Sequence, residues 1–196
     1  MNTLSNTAQE ILLHAKPLIL AGGYHGFSYA DISDLVGIRK ASIHHHFPTK
    51  AELVRVLVNQ YRQDAAAGLA QLDRTIADPG ARLRAYVAYW QTCISSGTEP
   101  FCVCALLASQ MPAIPDIVAI EVRAHFRTLS VWLATVLAEG EASGRFRLAG
   151  EPKAEAELFV ATVHGAMMSA RAHADGDLFE KIIGPLVERM TLKGPS

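Results

Sequence analysis

The sequence is poor in cysteine, in long apolar runs and in net charge. Three cysteines, Cys93, Cys102 and Cys104, occur in 196 residues. So few, and an odd number, argue against a disulfide framework. No apolar run approaches the roughly 18 residues of a membrane span. The polar start, Met1 to Glu10, has no basic segment ahead of an apolar one. A secretory leader is therefore not expected, and a cytoplasmic protein is. The formal charge of −1 excludes a polyanion binder over the whole surface. β-Branched runs are few and no segment alternates cleanly between polar and apolar residues; Arg145 to Leu148 comes nearest and reads as loop. There is no internal repeat. Common catalytic signatures are missing too: no glycine-rich phosphate loop, no Gly-x-Ser-x-Gly, no His-Glu-x-x-His, and acids scattered along helix faces without an evident pair. The chain is not expected to be an enzyme, and neither a cofactor nor a metal is expected.

What is present points to helices. Half the residues are hydrophobic, enough for a sizeable core, and alanine and leucine are abundant. Thr7-Ala-Gln-Glu10 reads as a capping box opening a first helix through Ile11, Leu12, Ala15, Leu18 and Ile19, closed by Gly22-Gly23. Pro17 inside it predicts a bend or break. Ser28, with Asp31 three residues on, caps a short helix over Tyr29 to Val36 that buries Ile32, Leu35 and Val36. Gly37 breaks it, a third helix runs from about Lys40 to His46, and Pro48 stops that. Thr49-Lys-Ala-Glu52 is a further capping box, opening a long helix that extends to about Ile76. Helices near 80–97, 101–110, 115–143, 153–174 and 177–191 follow, with breaks at Gly97 to Pro100, Pro112 to Pro115, Gly144 to Pro152 and Asp175-Gly176. The expectation is an all-α chain of about nine helices: a three-helix head, residues 1–48, and a helical body, residues 49–196.

Two short helices joined at a glycine are what major-groove reading requires: one braces and the second inserts. Ser33 and Gly37 are the small residues expected where the helices cross, with Ile32, Val36, Ile38 and Ile43 locking the angle. Arg39, Lys40, Ser42, His44 and His45 are left to point outward. Charge agrees: residues 1–62 hold Lys16, Arg39, Lys40, Lys50, Arg55 and Arg62 against Glu10, Asp31, Asp34 and Glu52, a net of +2, and the remainder carries −3. The alternative for Arg39 and Lys40 is an ordinary solvated face. The triplet His44-His45-His46 is not a chelate, because adjacent helical residues point about 100° apart.

The run from Gly37 through Phe47 to Lys50, with Ala21 to Ile32 before it, resembles the signature of TetR-type transcriptional regulators; the likeness covers about residues 8–58. It implies a DNA-binding repressor of cytoplasmic type whose partners are double-stranded operator DNA, a second copy of itself and a small-molecule effector. By position, it implies that Ser28 caps the second helix and donates to a phosphate, and that Arg39, Lys40 and Ser42 face the groove. His45 lies near the backbone, Phe47 anchors the recognition helix, and Lys50 pairs with a phosphate at a helix N-terminus. His44 stands where the family commonly has a phosphate-binding tyrosine; a neutral imidazole donates one hydrogen bond, so the contact survives with more pH sensitivity.

Palindromic half-sites call for a dimer. Ala161, Gly165 and Ser169 repeat every four residues as a smooth strip flanked by Leu158, and Leu178, Ile182 and Leu186 repeat on the last helix. The resemblance implies that these two helices form the dimer bundle; the alternative is packing within one chain. It also implies an inducer site in the middle helices, for which Tyr86, Tyr89, Trp90, Cys93, Met111, Phe126, Leu129, Trp132, His164, Met167 and Met168 are candidates; the alternative is plain core. Cys102 and Cys104 lie near a predicted helix start, where the dipole lowers thiol pKa and favours reaction with oxidants or electrophiles; the alternative is inert buried cysteine. A helical ligand-binding protein or cysteine-based sensor without a repressor role is the second functional reading.

Overall fold

A computed structural model describes residues 4–97 and 101–192. Among these the chain forms nine α-helices: α1 (Asn6–Gly22), α2 (Tyr29–Val36), α3 (Lys40–His46), α4 (Lys50–Thr75), α5 (Pro79–Ser96), α6 (Val103–Ala108), α7 (Asp116–Ala142), α8 (Pro152–His173) and α9 (Asp177–Met190). A single 3-10 turn, Met111–Ala113, precedes α7. The all-helical expectation therefore holds. The break expected at Gly97 to Pro100 lies partly outside the described residues. At Arg145 to Leu148 the loop makes one isolated antiparallel bridge, Phe146 to Thr191.

The residues gather into two compact units. The first takes the chain up to Gln63 together with Cys102–His125; the second takes Asp64–Phe101 and the chain from Phe126 onward. In the first, α1 turns Ala8, Ile11, Leu12, Ala15 and Ile19 inward at helical spacing, and they share a core with Ile32, Ile43, Phe47, Leu53, Val54, Leu57 and Val58. In the second, α8 and α9 form a hairpin packed on itself, with α5 against α9. Phe159, Val163 and Met167 on α8 and Phe179 and Ile183 on α9 are fully buried. Gly140 lets the Phe146 ring lie directly on α7, since a Cβ there would sit 1.9 Å from it.

Several local expectations are corrected. The cap of α1 is Ser5, whose Oγ accepts from the Ala8 N–H at 3.2 Å, and Thr7 lies inside the helix. Pro17 does not break α1, which runs unbroken to Gly22. Leu35 is 52% exposed and Val36 half-buried, because a two-turn helix packed along one edge buries only Tyr29 and Ile32. The break expected at Asp175-Gly176 is present, and the residue in the left-handed region there is Ala174 (φ 50°).

A charged knot inside the second unit had no sequence signal. Arg82 is buried and its guanidinium donates to Asp73 at 3.2 Å, to the Ala77 carbonyl at 3.3 Å and to Glu139. Asp73 also accepts from the Trp132 indole at 2.9 Å. A buried guanidinium with acidic partners is a locking element rather than a surplus of stability, since desolvation offsets much of the attraction.

Candidate nucleic-acid interface

The geometry of the first unit centres on the α2–α3 pair. Ser28 caps α2: its Oγ accepts from the Ala30 N–H at 3.2 Å, while Asp31 takes both the Ser28 N–H (2.7 Å) and the Ser28 hydroxyl proton (2.8 Å). These hydrogen bonds hold the Asp31 carboxyl below its usual range. The Ser28 hydroxyl is thus committed to the cap, and donation to a phosphate requires it to turn.

Gly37 ends α2 in the left-handed region (φ 73°, ψ 27°). A Cβ there would meet nothing within 4 Å, so backbone conformation, not crowding at the helix crossing, is what calls for glycine. Ser33 closes the turn from both sides: its carbonyl accepts from the Gly37 N–H at 2.9 Å, and its hydroxyl donates to the Ile38 carbonyl at 2.5 Å.

From this turn α3 projects. Ile43 and, at its end, Phe47 are buried, while Arg39, Lys40, Ser42, His44 and His45 are exposed. Among the described residues, Arg39, Lys40 and Ser42 have no side-chain hydrogen bond or ion pair. The His45 ring lies 5.4 Å from that of His46. Two cations and a hydroxyl are therefore presented together on one short helix, which is the chemistry for phosphate and base edges.

Tyr29, which sequence reasoning treated only as the start of α2, fixes the far end of α3. Its buried hydroxyl donates to the Phe47 carbonyl at 2.8 Å. Burial first, then the neighbouring Tyr24, pushes its pKa up to about 12, so the proton that makes this bond stays in place. The His44 ring packs edge-on to Tyr29 at 4.7 Å, and its Nδ1 lies 3.2 Å from the Pro48 carbonyl.

Lys50 has a second role. Its ammonium donates to the Phe27 carbonyl and sits 4.1 Å from the Phe27 ring centroid and 5.1 Å from that of Tyr24. Desolvation draws its pKa down. It ties the start of α4 to the turn before α2. Lys50→Met keeps the stem and removes the ammonium. It is expected to lower stability by about 1 kcal/mol, less than a fully buried charged hydrogen bond because the group is only half-buried. The urea midpoint measures this, and an unchanged midpoint would limit Lys50 to DNA contact.

The same turn is gripped by distant residues that no local pattern announced. Gln110 Oε1 accepts from the Tyr24 N–H at 2.8 Å, and its amide fills the space where a Gly23 Cβ would stand. His25 Nε2 lies 2.9 Å from the Ala113 carbonyl.

The cysteines sit deeper than expected. Cys102 stands at the N-cap position of α6 without a side-chain capping bond, and both it and Cys104 are fully buried. Burial, with the adjacent Cys102 thiol, pushes the Cys104 thiol well above its ordinary pKa, opposite in sign to the helix-dipole expectation. Cys102 Sγ lies 3.8 Å from Nε2 of the buried His125. None of the three cysteines is in a disulfide.

In the second unit Tyr86, Trp90, Cys93, Leu129, Trp132 and Met167 are buried. The Phe126 and His164 rings lie 5.1 Å apart, and those of Tyr86 and Trp132 5.6 Å. Met111 belongs to the first unit, while Tyr89 and Met168 are 52% and 54% exposed. On α8, Leu158, Ala161 and Gly165 are exposed and Ser169 half-buried; Ile182 and Leu186 on α9 are half-buried. Met168 belongs with that outward strip.

Residues 11–57 match the family model of bacterial regulatory proteins, tetR family, and residues 79–184 match that of the tetracyclin repressor-like C-terminal domain. A crystal structure of a TetR-family transcriptional regulator from Agrobacterium tumefaciens is 57% identical, covers 97% of this chain and 100% of its own, and superposes with a TM-score of 0.94. A TetR transcriptional regulator from Legionella pneumophila is 24% identical over 97% of this chain and 100% of its own, with a TM-score of 0.85, and shows the shared fold. The HTH-type transcriptional activator FasR of Mycolicibacterium smegmatis is 31% identical over 78 residues, which is 40% of this chain and 36% of that relative. The match thus spans about a third of that curated protein's length.

Proposed function

Because the chain belongs to the tetR family of bacterial regulatory proteins, and is therefore a DNA-binding transcriptional regulator and not an enzyme, we propose that it is a repressor. In this reading a homodimer holds a palindromic operator through its heads, residues 1–48, and a small molecule taken up by the body, residues 49–196, releases it. Among the described residues no helix is long and apolar enough to cross a membrane. The single observation that carries the reading is the set Arg39, Lys40, Ser42, His44 and His45, exposed on a helix braced by α2 through Gly37. Arg39 and Ser42 take base edges or phosphates, Lys40 and His45 the backbone, and Lys50 and Ser28 flank them. Repression follows from occupancy, since a bound dimer obstructs polymerase. FasR is described as an activator, so the sign of regulation is tested rather than transferred.

For the releasing signal, the aromatic and sulfur side chains of the second unit, Tyr86, Trp90, Cys93, Phe126, His164 and Met167, support a small organic molecule. Full burial of Cys102 and Cys104 and the raised thiol of Cys104 favour that over an electrophile, which would need the α6 start to open.

The test is selection of bound fragments from genomic DNA, followed by salt titration of the recovered site. Lys40→Ala is expected to reduce the slope of log affinity against log salt by about 0.9 per lost phosphate contact. An unchanged slope removes Lys40 from the interface, and failure to retain any fragment removes the DNA reading. A reporter driven from the recovered site distinguishes repressor from activator.

A further inference from the structure

We propose that His44 couples DNA binding to the uptake of a proton, its outer ring nitrogen serving as a phosphate donor only in the charged imidazolium. The inference rests on the DNA-binding reading and deepens it at one residue. His44 Nδ1 lies 3.2 Å from the Pro48 carbonyl oxygen. A carbonyl can only accept, so Nδ1 carries the ring hydrogen. A neutral imidazole has one N–H, and here it is turned inward to the end of its own helix. Nε2 is then a bare lone pair. In this reading the single hydrogen of a neutral His44 is already committed to the Pro48 carbonyl.

The ring is not free to swing and reverse these roles at no cost. It packs edge-on to Tyr29 at 4.7 Å with 61° between the planes, and Tyr29 is itself anchored by its bond to the Phe47 carbonyl. His44 is exposed and lies four residues, about one helical turn, beyond Lys40, so the two share a face of α3. A phosphate oxygen approaching that face meets the lone pair on Nε2, acceptor against acceptor. Protonation converts the same atom into a charge-assisted donor. DNA therefore favours the imidazolium, and affinity rises as pH falls.

The groups around the ring set no competing charge against it from direct contact. Tyr29 on α2 is neutral well past physiological pH, and Pro48 presents a carbonyl. The charges on the neighbouring elements are Arg39, Lys40, His45 and His46 on α3 itself, Asp31 and Asp34 on α2, Glu10, His14 and Lys16 on α1, and Lys50 and Glu52 in the first turn of α4. Lys50 is turned onto Phe27 and Asp31 onto Ser28, so neither is directed at the imidazole.

The experiment uses the full-length protein and a duplex recovered by genomic selection, with affinity measured by fluorescence anisotropy near pH 6 and near pH 8 at one ionic strength. Wild type is expected to bind about fivefold more tightly at the lower pH. His44→Gln offers an amide N–H at every pH, so it should bind with little pH response. Calorimetry of the wild-type complex in two buffers of different ionisation enthalpy should register net proton uptake that His44→Gln loses. A wild type with no pH response, or a His44→Gln that keeps it in full, overturns the proposal while leaving DNA binding intact. Absence of binding at either pH instead overturns the DNA reading beneath it.

Discussion

Phe47→Ala is expected to cost about 3–5 kcal/mol of stability and to abolish operator binding at temperatures where the wild type binds. Phe47 is 2% exposed and is among the largest fully buried side chains. It ends α3, with its N–H on the Ile43 carbonyl at 2.8 Å and its carbonyl taking the Tyr29 hydroxyl. The backbone bonds do not depend on the ring, so the variant separates packing from hydrogen bonding: α3 keeps its terminal partners but loses the apolar mass that holds it down. Collapse into the space is incomplete where the core is drawn from several helices, and the buried residues of this unit come from α1, α2, α3 and α4. Phe47→Leu retains most of the buried surface and should cost about 1 kcal/mol. Paired urea titrations and gel shifts check both variants. A Phe47→Ala protein within 1 kcal/mol of wild type would mean that the ring is not what seats the recognition helix.

The contrast between legible and illegible parts follows from range. The Ser28–Asp31 box, the left-handed Gly37 and the limits of α3 are decided within a few residues, by a side chain meeting its own backbone or by a φ only glycine adopts readily, and the sequence displays those events directly. Where two local solutions compete, pattern alone misleads. Ser5 and Thr7 are both good caps, and it is Ser5 that takes the Ala8 N–H. The faces of an eight-residue helix are also ambiguous, and so Leu35 was expected in the core and lies outside. Longer-range events leave no local trace. The grip of Gln110 on Gly23 and Tyr24 crosses 86 positions, and the Arg82 knot joins three helices. Cys104 shows the same limit in electrostatics: proximity to a helix start is visible in sequence, whereas the burial that reverses its effect is not.

Gly165→Arg is expected to leave the subunit folded, convert a dimer into a monomer and weaken operator binding by about 10²–10⁴-fold, the range lost when two linked contacts become independent. Gly165 lies in the middle of α8 on its outward strip, between exposed Leu158 and Ala161 on one side and exposed Met168 on the other. A Cβ there meets nothing within 4 Å, so the single chain has room for a side chain. Exchanging a helix-interior glycine for arginine also gains about 0.5–1 kcal/mol of helix propensity. Loss of function cannot then be assigned to unfolding. In a two-fold dimer the same patch meets itself, so one substitution places two like charges in the seam and holds apart helices whose approach depends on small residues. Light scattering gives the mass and thermal melts the fold. If the variant remains a dimer, or if wild type is already a monomer, α8 packs only within its own chain, and symmetric recognition of an operator needs another surface.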